Sequence, residues 1–366
     1  MTQPLKPADL VPSTGLEGIV VADTVLSDVD GQNGELVLRG RRIEDLAGRM
    51  PFEAAVQHLW GDLVPTSGTD LRNAFAQARR MAMAALPAME KAPAGIGAYD
   101  RMRLGIGALP EDTGLTDAEL ISGACPVLLA AAARLETGYV PIGPDAGLSS
   151  AEDLLRMLTG APPAAYAVNA LDRYLVTILD HGLNASTFTA RVIASTRAGM
   201  RDAVIGAMGA LRGPLHGGAP GPVLDMLDAV GTPENAESCV MAELERGERL
   251  MGFGHRVYRT RDPRADVLKA GLGELPKDNP RLALAEAVEK AARSALARAK
   301  PDRKLDTNVE FYTAVLLDAV GIDRSLFTPL FAAGRTPGWC AHVVEQQKTG
   351  KLIRPASRYV GPAVSG

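Results

Sequence analysis

The chain has 366 residues, of which 46% are hydrophobic and 22% charged, and its formal net charge is -4. This balance is ordinary for a globular protein with a sizeable core, and the length suits about two domains at ~150 residues each. The small net charge excludes a global field for nucleic acid or membrane, and the 4% of aromatic residues are too few for a base-stacking surface.

The first residues and the cysteines bear on the compartment. The opening MTQPLKPADLVPSTG lacks the apolar core of a signal peptide, and no apolar run approaches the ~18 residues that cross a bilayer. Cys125, Cys239 and Cys340 are widely spaced without a metal-ligand pattern, which argues against disulfides and structural zinc. We therefore predict a cytoplasmic protein.

Residues 16–45 are the best strand region, because apolar stretches there flank the turn sequence DGQNG. We predict a short hairpin. The pattern then becomes helical almost throughout, and Thr116 with Glu119, like Ser149 with Glu152, has the spacing of a capping box. The predicted helices cover residues 51–63, 116–136, 149–160, 162–182, 185–199, 232–252, 278–300, 308–321 and 336–347.

Glycine and proline concentrate at residues 211–225, and a second break lies at 321–329. These breaks predict a mainly helical protein of two domains with a minor N-terminal sheet. The large domain comprises residues 1–219 and 323–366, and the small domain comprises residues 220–322.

The five histidines divide into two groups. His58 and His342 lie within amphipathic helix patterns and are interpreted as structural. His216, in GPLHGGAPG, and His255, in GFGHRVYR, stand beside glycines that allow the backbone to approach a ligand closely. His181, in DHGLNASTF, lies at a predicted helix end, where contact with the helix terminus is the structural alternative.

Three arginines and one glutamate also stand out. Arg264, Arg335 and Arg354 each lie at a predicted element boundary, and arginine is suited to bidentate recognition of carboxylates. Asn308 can cap a helix whose first turn holds Glu310, and the helix dipole there favours the ionised carboxylate that a general base needs. The structural alternative for each is an ordinary surface residue.

Six segments together resemble the citrate synthase family, whose signature segments they match in the same order: HGLNASTFTARVIAST, GPLHGGAP, GFGHRVYRTRDPRA, NVEFYTAVLLDAVG, GRTPGWCAHVVEQ and KLIRPASRYVGP. The resemblance covers residues 15–362, and the length resembles the compact bacterial and archaeal form. It implies an all-α fold with a short N-terminal hairpin, a large and a small domain, and a homodimer with active sites in the interdomain cleft. It implies acyl-CoA and oxaloacetate as substrates, with no cofactor and no metal.

The resemblance also implies roles for individual residues. His216 would donate a hydrogen bond to the thioester oxygen of acetyl-CoA, His255 would polarise the ketone of oxaloacetate, and Glu310 would be the catalytic base. A thioester methyl group is a very weak acid, so hydrogen bonding to the carbonyl as charge develops is the usual solution. The implied binding residues are His181, Arg264 and Arg335 for oxaloacetate, Arg354 from the partner subunit, and Gly252, Gly254, Arg256 and Arg259 for CoA.

Three positions depart from the pattern of the family, which usually has aspartate at Glu310, a second arginine at Ala356 and glutamate at Gly182. The extra methylene of Glu310 could move its carboxylate by about 1 Å, a displacement that can cost on the order of a hundredfold in rate. Within the stretch 252–265, Arg256 has no role beyond its backbone, and Arg261 has none.

The resemblance leaves three functions open. The first is a citrate (Si)-synthase of the tricarboxylic acid cycle, an acyltransferase that condenses acetyl-CoA with oxaloacetate. The second is a 2-methylcitrate synthase that uses propionyl-CoA, since one methylene in an apolar pocket is worth only about 1–3 kcal/mol. The third, from another class, is a non-catalytic relative that binds CoA or a dicarboxylate.

Overall fold

Helices form most of the computed structural model and pack around a shared apolar core. Helix α6 (Asp117–Glu136) lies at the centre, where it contacts α3 (Leu71–Ala82), α5 (Ala98–Gly107), α7 (Ser150–Thr159) and α16 (Phe327–Thr349). The described residues are 14–16, 18–217, 220–254, 258, 261–300 and 305–362.

The remaining helices, together with these five, complete a set of sixteen within the described ranges. Those in the first half are α1 (Ile43–Leu46), α2 (Phe52–Trp60), α4 (Leu86–Glu90) and α8 (Ala165–Thr177). Those in the second half are α9 (Ala185–Ser195), α10 (Met200–Leu211), α11 (Pro220–Val230), α12 (Ala236–Glu245), α13 (Pro263–Leu272), α14 (Pro280–Ala299) and α15 (Val309–Ala319).

The predicted hairpin is confirmed. Strand β1 (Ser27–Asp30) pairs antiparallel with β2 (Glu35–Leu38), with Asp30 opposite Glu35, and a third short strand, β3 (Arg41–Arg42), extends the sheet. The Asp30 carboxylate accepts the backbone N–H groups of Gln32 and Asn33, both at 2.9 Å, and so stabilises the turn. Residues 19–21 lie outside the strand, because they precede the paired segment.

Helix caps predicted from sequence are also confirmed. Thr116 and Glu119 form the complete capping box of α6, and Ser149 accepts the N–H of Glu152 at the start of α7. Asn308 caps α15, where its side chain accepts the N–H of Glu310. A cap acts within one turn of chain, which is why sequence spacing alone locates it.

Two predicted helix bounds were wrong at positions that matter for the site. Helix α8 ends at Thr177 instead of continuing to residue 182, and Gly182 itself has a φ of 76°, outside the right-handed helical range. Helix α16 begins at Phe327 and continues through Pro337, so Arg335 lies inside a helix and not at its boundary. Proline inside a helix costs about 3 kcal/mol, and the near-complete burial of residues 329–346 offsets that cost.

Helix α6 is long and apolar enough to cross a membrane by length and composition, although 83% of its most apolar window is buried inside the protein. The prediction that no apolar run approaches this length was wrong for α6, because the mean hydropathy of a segment stays high when it contains a few charged residues. A mostly buried core helix passes the same test, so one such helix is weak evidence for a membrane span. The division into two domains stays a prediction.

Candidate active site

His216 lies in a tight turn that follows helix α10. Its backbone N–H donates to the carbonyl of Gly213 at 2.9 Å. Its Nε2 atom lies 2.8 Å from Ser186 Oγ and 3.1 Å from Asn184 Oδ1. Because Asn184 also caps α9, these contacts fix the imidazole at the N-terminus of that helix.

The electrostatic surroundings keep the imidazole of His216 neutral. Burial, and next the nearby Arg335 guanidinium, lower the pKa of His216 to about 4. The Phe331 ring lies edge-on to the imidazole, with 6.4 Å between centroids, and Arg335 Cζ lies 4.8 Å from the centroid of the same ring. At neutral pH the imidazole can therefore donate one hydrogen bond without carrying a charge.

Arg335 is completely buried in α16 and contacts the loop between α8 and α9, residues 178–184, which we call the His181 loop. Its Nε donates to the carbonyl of Ile178, and its Nη2 contacts His181 Nδ1. The structure thus places His181 and Arg335 in direct contact, although 154 residues separate them in sequence.

One nitrogen of this guanidinium is left over. Arg335 Nη1 is buried and has no hydrogen-bond partner among the described residues. Burial lowers the pKa of Arg335 to about 10, Asp180 opposes this effect, and the positive charge of Arg264 adds to it. A buried donor without a partner carries a desolvation cost that an anionic ligand would remove.

Arg264 is buried in the first turn of α13 and pairs with Asp262. The Nε and Nη2 atoms of Arg264 each donate to an oxygen of Asp262 at 2.9 Å. Burial alone would lower the pKa of Arg264, but Asp262 outweighs it and raises that pKa. Asp262 also accepts the backbone N–H of Val309 at 3.1 Å, so one carboxylate joins Arg264 to the start of α15.

Removal of this carboxylate should be strongly destabilising. We expect Asp262→Ala to lower the free energy of unfolding by about 3–5 kcal/mol, because it leaves the Arg264 charge buried without its partner. The side chains of Asp262 and Arg264 are only 1% and 6% exposed. Denaturant unfolding followed by circular dichroism measures the change.

Asp266→Ala is the matched control. Asp266 pairs with Arg261 a few residues away, but those side chains are 47% and 50% exposed. Exposed pairs contribute about 0–1 kcal/mol, so the control should unfold nearly as the wild type does. Equal losses in the two variants would contradict the role given to Asp262.

Glu310 lies in the first turn of α15, in a position that a paired backbone segment determines. The backbone N–H of Asn308 donates to the carbonyl of Gly252, and its side-chain amide donates to that of Gly254, both at 2.9 Å. Gly252 has a φ of 83°, and a Cβ there would lie 2.8 Å from Cβ of Phe311. Only glycine therefore allows this segment to lie against the helix that carries Glu310.

The carboxyl group of Glu310 is half-buried. Burial raises its pKa above the ordinary value, while Arg264 and then Arg249 oppose the increase without cancelling it. The positive charge of Arg264 thus acts to lower the pKa of Glu310 and that of Arg335. The charge of Arg335 in turn lowers the pKa of His216. A carboxylate with a raised pKa is a stronger base than an exposed one.

Arg354 stands apart from this cluster. It is exposed beyond the end of α16 and lines a cavity of about 860 Å³ between residues 16–25 and 345–355. None of the described contacts joins Arg354 to Arg264 or Arg335. Arg261, which had no role in the sequence analysis, forms ion pairs with Asp266 and, at 2.6 Å, with Glu44.

Three predicted site residues, His255, Arg256 and Arg259, lie outside the described residues. Their neighbours Gly252 and Gly254 are described, and both have positive φ, at 83° and 78°. Of the predicted CoA-binding residues, the structure therefore describes Gly252 and Gly254. Both contact Asn308, two residues before Glu310.

Several residues that shape the site were not predicted from the sequence. Ser186 contacts His216, and the Phe331 ring contacts both the His216 imidazole and the Arg335 guanidinium. Asp262 pairs with Arg264. Its position as the cap of α13, two residues before Arg264, was a usable signal.

The described part of the site combines a neutral imidazole, a half-buried carboxylate and two buried arginines with a contacting histidine. Within the described residues, no group of three or more His, Cys, Asp or Glu side chains could hold a metal ion. This arrangement can bind a dianion, accept a proton from carbon and donate a hydrogen bond to a developing oxyanion.

The fold is mainly helical, and the cluster is a candidate site for an anionic substrate. The family model described as "Citrate synthase, C-terminal domain" matches residues 15–356. The chain therefore belongs to the citrate synthase family and is an enzyme of the acyltransferase type.

Curated relatives carry two names. The chain is 37% identical to the citrate synthase of Haloferax volcanii, with 95% of each chain covered. It is 36% identical to the 2-methylcitrate synthase of Mycobacterium tuberculosis, with 95% of this chain and 90% of that protein covered. These names do not distinguish between the two thioesters.

Solved structures agree with the assignment. The citrate synthase of Thermotoga maritima superposes with a TM-score of 0.84 at 34% identity, covering 97% of this chain and 98% of that one. The citrate synthase of Thermoplasma acidophilum, solved as a ternary complex with carboxymethyl coenzyme A and oxaloacetate, gives 0.83 at 26% identity with the same coverage.

Proposed function

We propose that this enzyme is a citrate (Si)-synthase. It condenses acetyl-CoA with oxaloacetate and hydrolyses the resulting citryl-CoA to citrate and CoA, the first step of the tricarboxylic acid cycle. Family membership supports the condensation of an acyl-CoA with oxaloacetate. The observation that carries the proposal is the pair of buried arginines, Arg264 and Arg335, with the unpartnered Nη1 of Arg335.

Oxaloacetate is a dianion. Asp262 already pairs with Arg264, but the charge of Arg264 still lowers the pKa of Arg335, and a bound anion would offset that repulsion. In this proposal Arg264 and Arg335 bind its carboxylates, and His181 adds a contact from the same side as Arg335. The positive charges offset the charge of the dianion, and hydrogen bonds from side chains held in place fix the orientation of the ketone. His255, outside the described residues, polarises that ketone.

Glu310 removes a proton from the methyl group of acetyl-CoA while His216 donates a hydrogen bond to the thioester oxygen. We assign the imidazole proton to Nδ1, because Nε2 accepts the backbone N–H of Ser186 at 3.4 Å. Trp339 Nε1 donates to Ser186 Oγ at 3.3 Å, and that hydroxyl donates to Asn184 Oδ1 at 2.7 Å, so Ser186 is held in place. A neutral donor is suited to an enol, because it stabilises the oxygen without transferring a full proton.

The new carbon–carbon bond joins the enol carbon to the ketone carbon of oxaloacetate, whose oxygen takes up a proton. Water then attacks the thioester of citryl-CoA, which releases CoA as a thiol and leaves a carboxylate. The CoA moiety contacts Arg259 and the backbone of Gly252, Gly254 and Arg256. Closure of the small domain, residues 220–322, on the large one excludes water until condensation is complete.

We also propose a cytoplasmic homodimer that needs no cofactor beyond its substrates. Arg354 would then reach oxaloacetate in the partner subunit. Its exposure, and that of apolar residues at both ends of the chain such as Val20 (85%), Leu352 (58%) and Val360 (82%), fits surfaces that a second subunit covers.

A 2-methylcitrate synthase is the second candidate, and the relative of that name at 36% identity favours it. Release of the CoA thiol with oxaloacetate and either acetyl-CoA or propionyl-CoA separates the two. We expect kcat/KM to be higher with acetyl-CoA, by about tenfold or more, since one methylene in a fitted pocket is worth 10–200-fold. A higher value with propionyl-CoA would assign the second function, and no turnover with either thioester would refute both.

A further inference from the structure

Three buried polar side chains outside the proposed substrate contacts form a continuous hydrogen-bonded chain. They are Asp180, His342 and Arg191, each at most 1% exposed. His342 Nε2 lies 3.1 Å from Asp180 Oδ2, and Arg191 Nε donates to His342 Nδ1 at 3.1 Å. Because Nδ1 is an acceptor, the imidazole proton lies on Nε2 and is donated to Asp180.

At one end, this hydrogen-bonded network contacts the His181 loop. The hydroxyl of Ser27, in strand β1, donates to Asp180 Oδ2 at 2.5 Å and accepts the N–H of Gly182 at 2.9 Å. Ser27 therefore bridges the residues on either side of His181. Gly182, where the family usually has glutamate, adopts its φ of 76° at this bridge, a conformation that glycine accepts without strain.

The charge of Asp180 holds these donors together. Burial would raise the pKa of Asp180, but His342, and after it Arg335 and Ser27, outweigh burial and keep the pKa below its ordinary value. Asp180 is thus an ionised carboxylate in the core. If one of these donors is removed from the Asp180 carboxylate, water cannot replace the lost hydrogen bond in the core.

At its other end, the hydrogen-bonded network contacts the N-terminal segment. Arg191 pairs with Glu345 and donates to Gln346 Oε1 at 3.1 Å. Glu345 accepts the backbone N–H of Val25 at 2.9 Å. Val25 and Ser27, at the start of strand β1, are therefore both hydrogen-bonded to the same buried network.

We propose that Ser27, Asp180 and His342 are positioning residues that hold the His181 loop so that His181 contacts Arg335 in the geometry that binds oxaloacetate. They act through the loop and do not touch the substrate themselves. The inference rests on the proposed role of His181 as a ligand of oxaloacetate. It gives the N-terminal hairpin, remote in sequence from every signature segment, a part in substrate binding.

Ser27→Ala and Ser27→Thr form the first test. Alanine removes the bridging hydroxyl, whereas threonine retains it. We expect Ser27→Ala to raise the Kd for oxaloacetate, measured by isothermal titration calorimetry, by about tenfold, the typical weight of a hydrogen bond to a charged group. The KM for the acyl-CoA should change less than about twofold, and Ser27→Thr should bind oxaloacetate as the wild type does.

His342→Gln and His342→Leu form the second pair. Glutamine can place an amide donor near the position of Nε2, and leucine cannot, so we expect glutamine to retain most of the affinity for oxaloacetate and leucine to lose it. Tyr99→Phe is the matched control, because it removes a buried hydrogen bond, from the Tyr99 hydroxyl to the carbonyl of Met208 at 2.6 Å, that involves neither the hairpin nor the His181 loop. It should leave oxaloacetate binding unchanged.

The results separate this inference from the proposed function. A wild type that binds oxaloacetate tightly but releases no CoA would refute the proposed function alone. A second outcome is that Ser27→Ala and His342→Leu lower the unfolding temperature and leave the affinity for oxaloacetate at the wild-type value. That result would refute the positioning role alone, since Ser27 and His342 would then contribute only to stability. A wild type that does not bind oxaloacetate would overturn both.

Discussion

His216→Ala is expected to lower kcat by about a hundred- to a thousandfold, the usual loss when one donor to a developing oxyanion is removed. The imidazole is neutral, with a pKa of about 4, and Ser186 and Asn184 hold it in place. In the proposed mechanism its hydrogen bond strengthens only as charge appears on the thioester oxygen, so the KM for oxaloacetate should change little. Steady-state release of the CoA thiol measures both constants.

The control for this variant is His58→Ala, which removes a histidine remote from the cluster. Far-ultraviolet circular dichroism and thermal unfolding should show that both variants fold. A His216→Ala enzyme that retains more than a tenth of wild-type kcat would contradict the assigned role. A loss seen equally in His58→Ala would show that the effect is not specific to the site.

Glu310→Gln is expected to lower kcat by about 10²–10⁴-fold, because the amide cannot accept the methyl proton. The same change should not destabilise the fold at pH 7. Burial raises the pKa of Glu310, so its contribution to stability is present below the pKa of the unfolded chain and lost as pH rises through the folded pKa. Once ionised, the buried Glu310 side chain destabilises the fold, and glutamine removes that cost.

Two measurements check this prediction together. The thermal midpoint of Glu310→Gln at pH 7 should equal or exceed that of the wild type, while its turnover is largely lost. The wild-type kcat/KM should rise with pH through a pKa above the ordinary glutamate value, and His216 should add no limb above about pH 5. A variant that keeps full activity would show that another group is the base.

Local features of this fold could be predicted from the sequence. The DGQNG turn, the Thr116 capping box and the Asn308 cap depend on residues within one or two turns of chain, and all three are confirmed. The helix containing Glu310 was predicted for the same reason. The fold class followed from six signature segments in order, and the solved structures confirm it.

Features that depend on tertiary contacts could not be predicted. A proline at position 337 is typical of a helix start, yet burial carries α16 through it and places Arg335 mid-helix. His342 occupies an amphipathic pattern that gives no sign of Asp180, which lies 162 residues earlier in sequence. The contact between Ser27 and the His181 loop likewise joins residues about 150 positions apart, which no local pattern encodes.

The proposed reaction joins the methyl carbon of the acetyl thioester to the ketone carbon of oxaloacetate. The most direct measurement follows acetyl-CoA labelled with ¹³C in its methyl group by nuclear magnetic resonance, with and without oxaloacetate. We expect the label to appear in citrate in equal amount to the CoA released, and only when oxaloacetate is present. Label that appears in free acetate, with CoA release independent of oxaloacetate, would show simple hydrolysis and contradict the account.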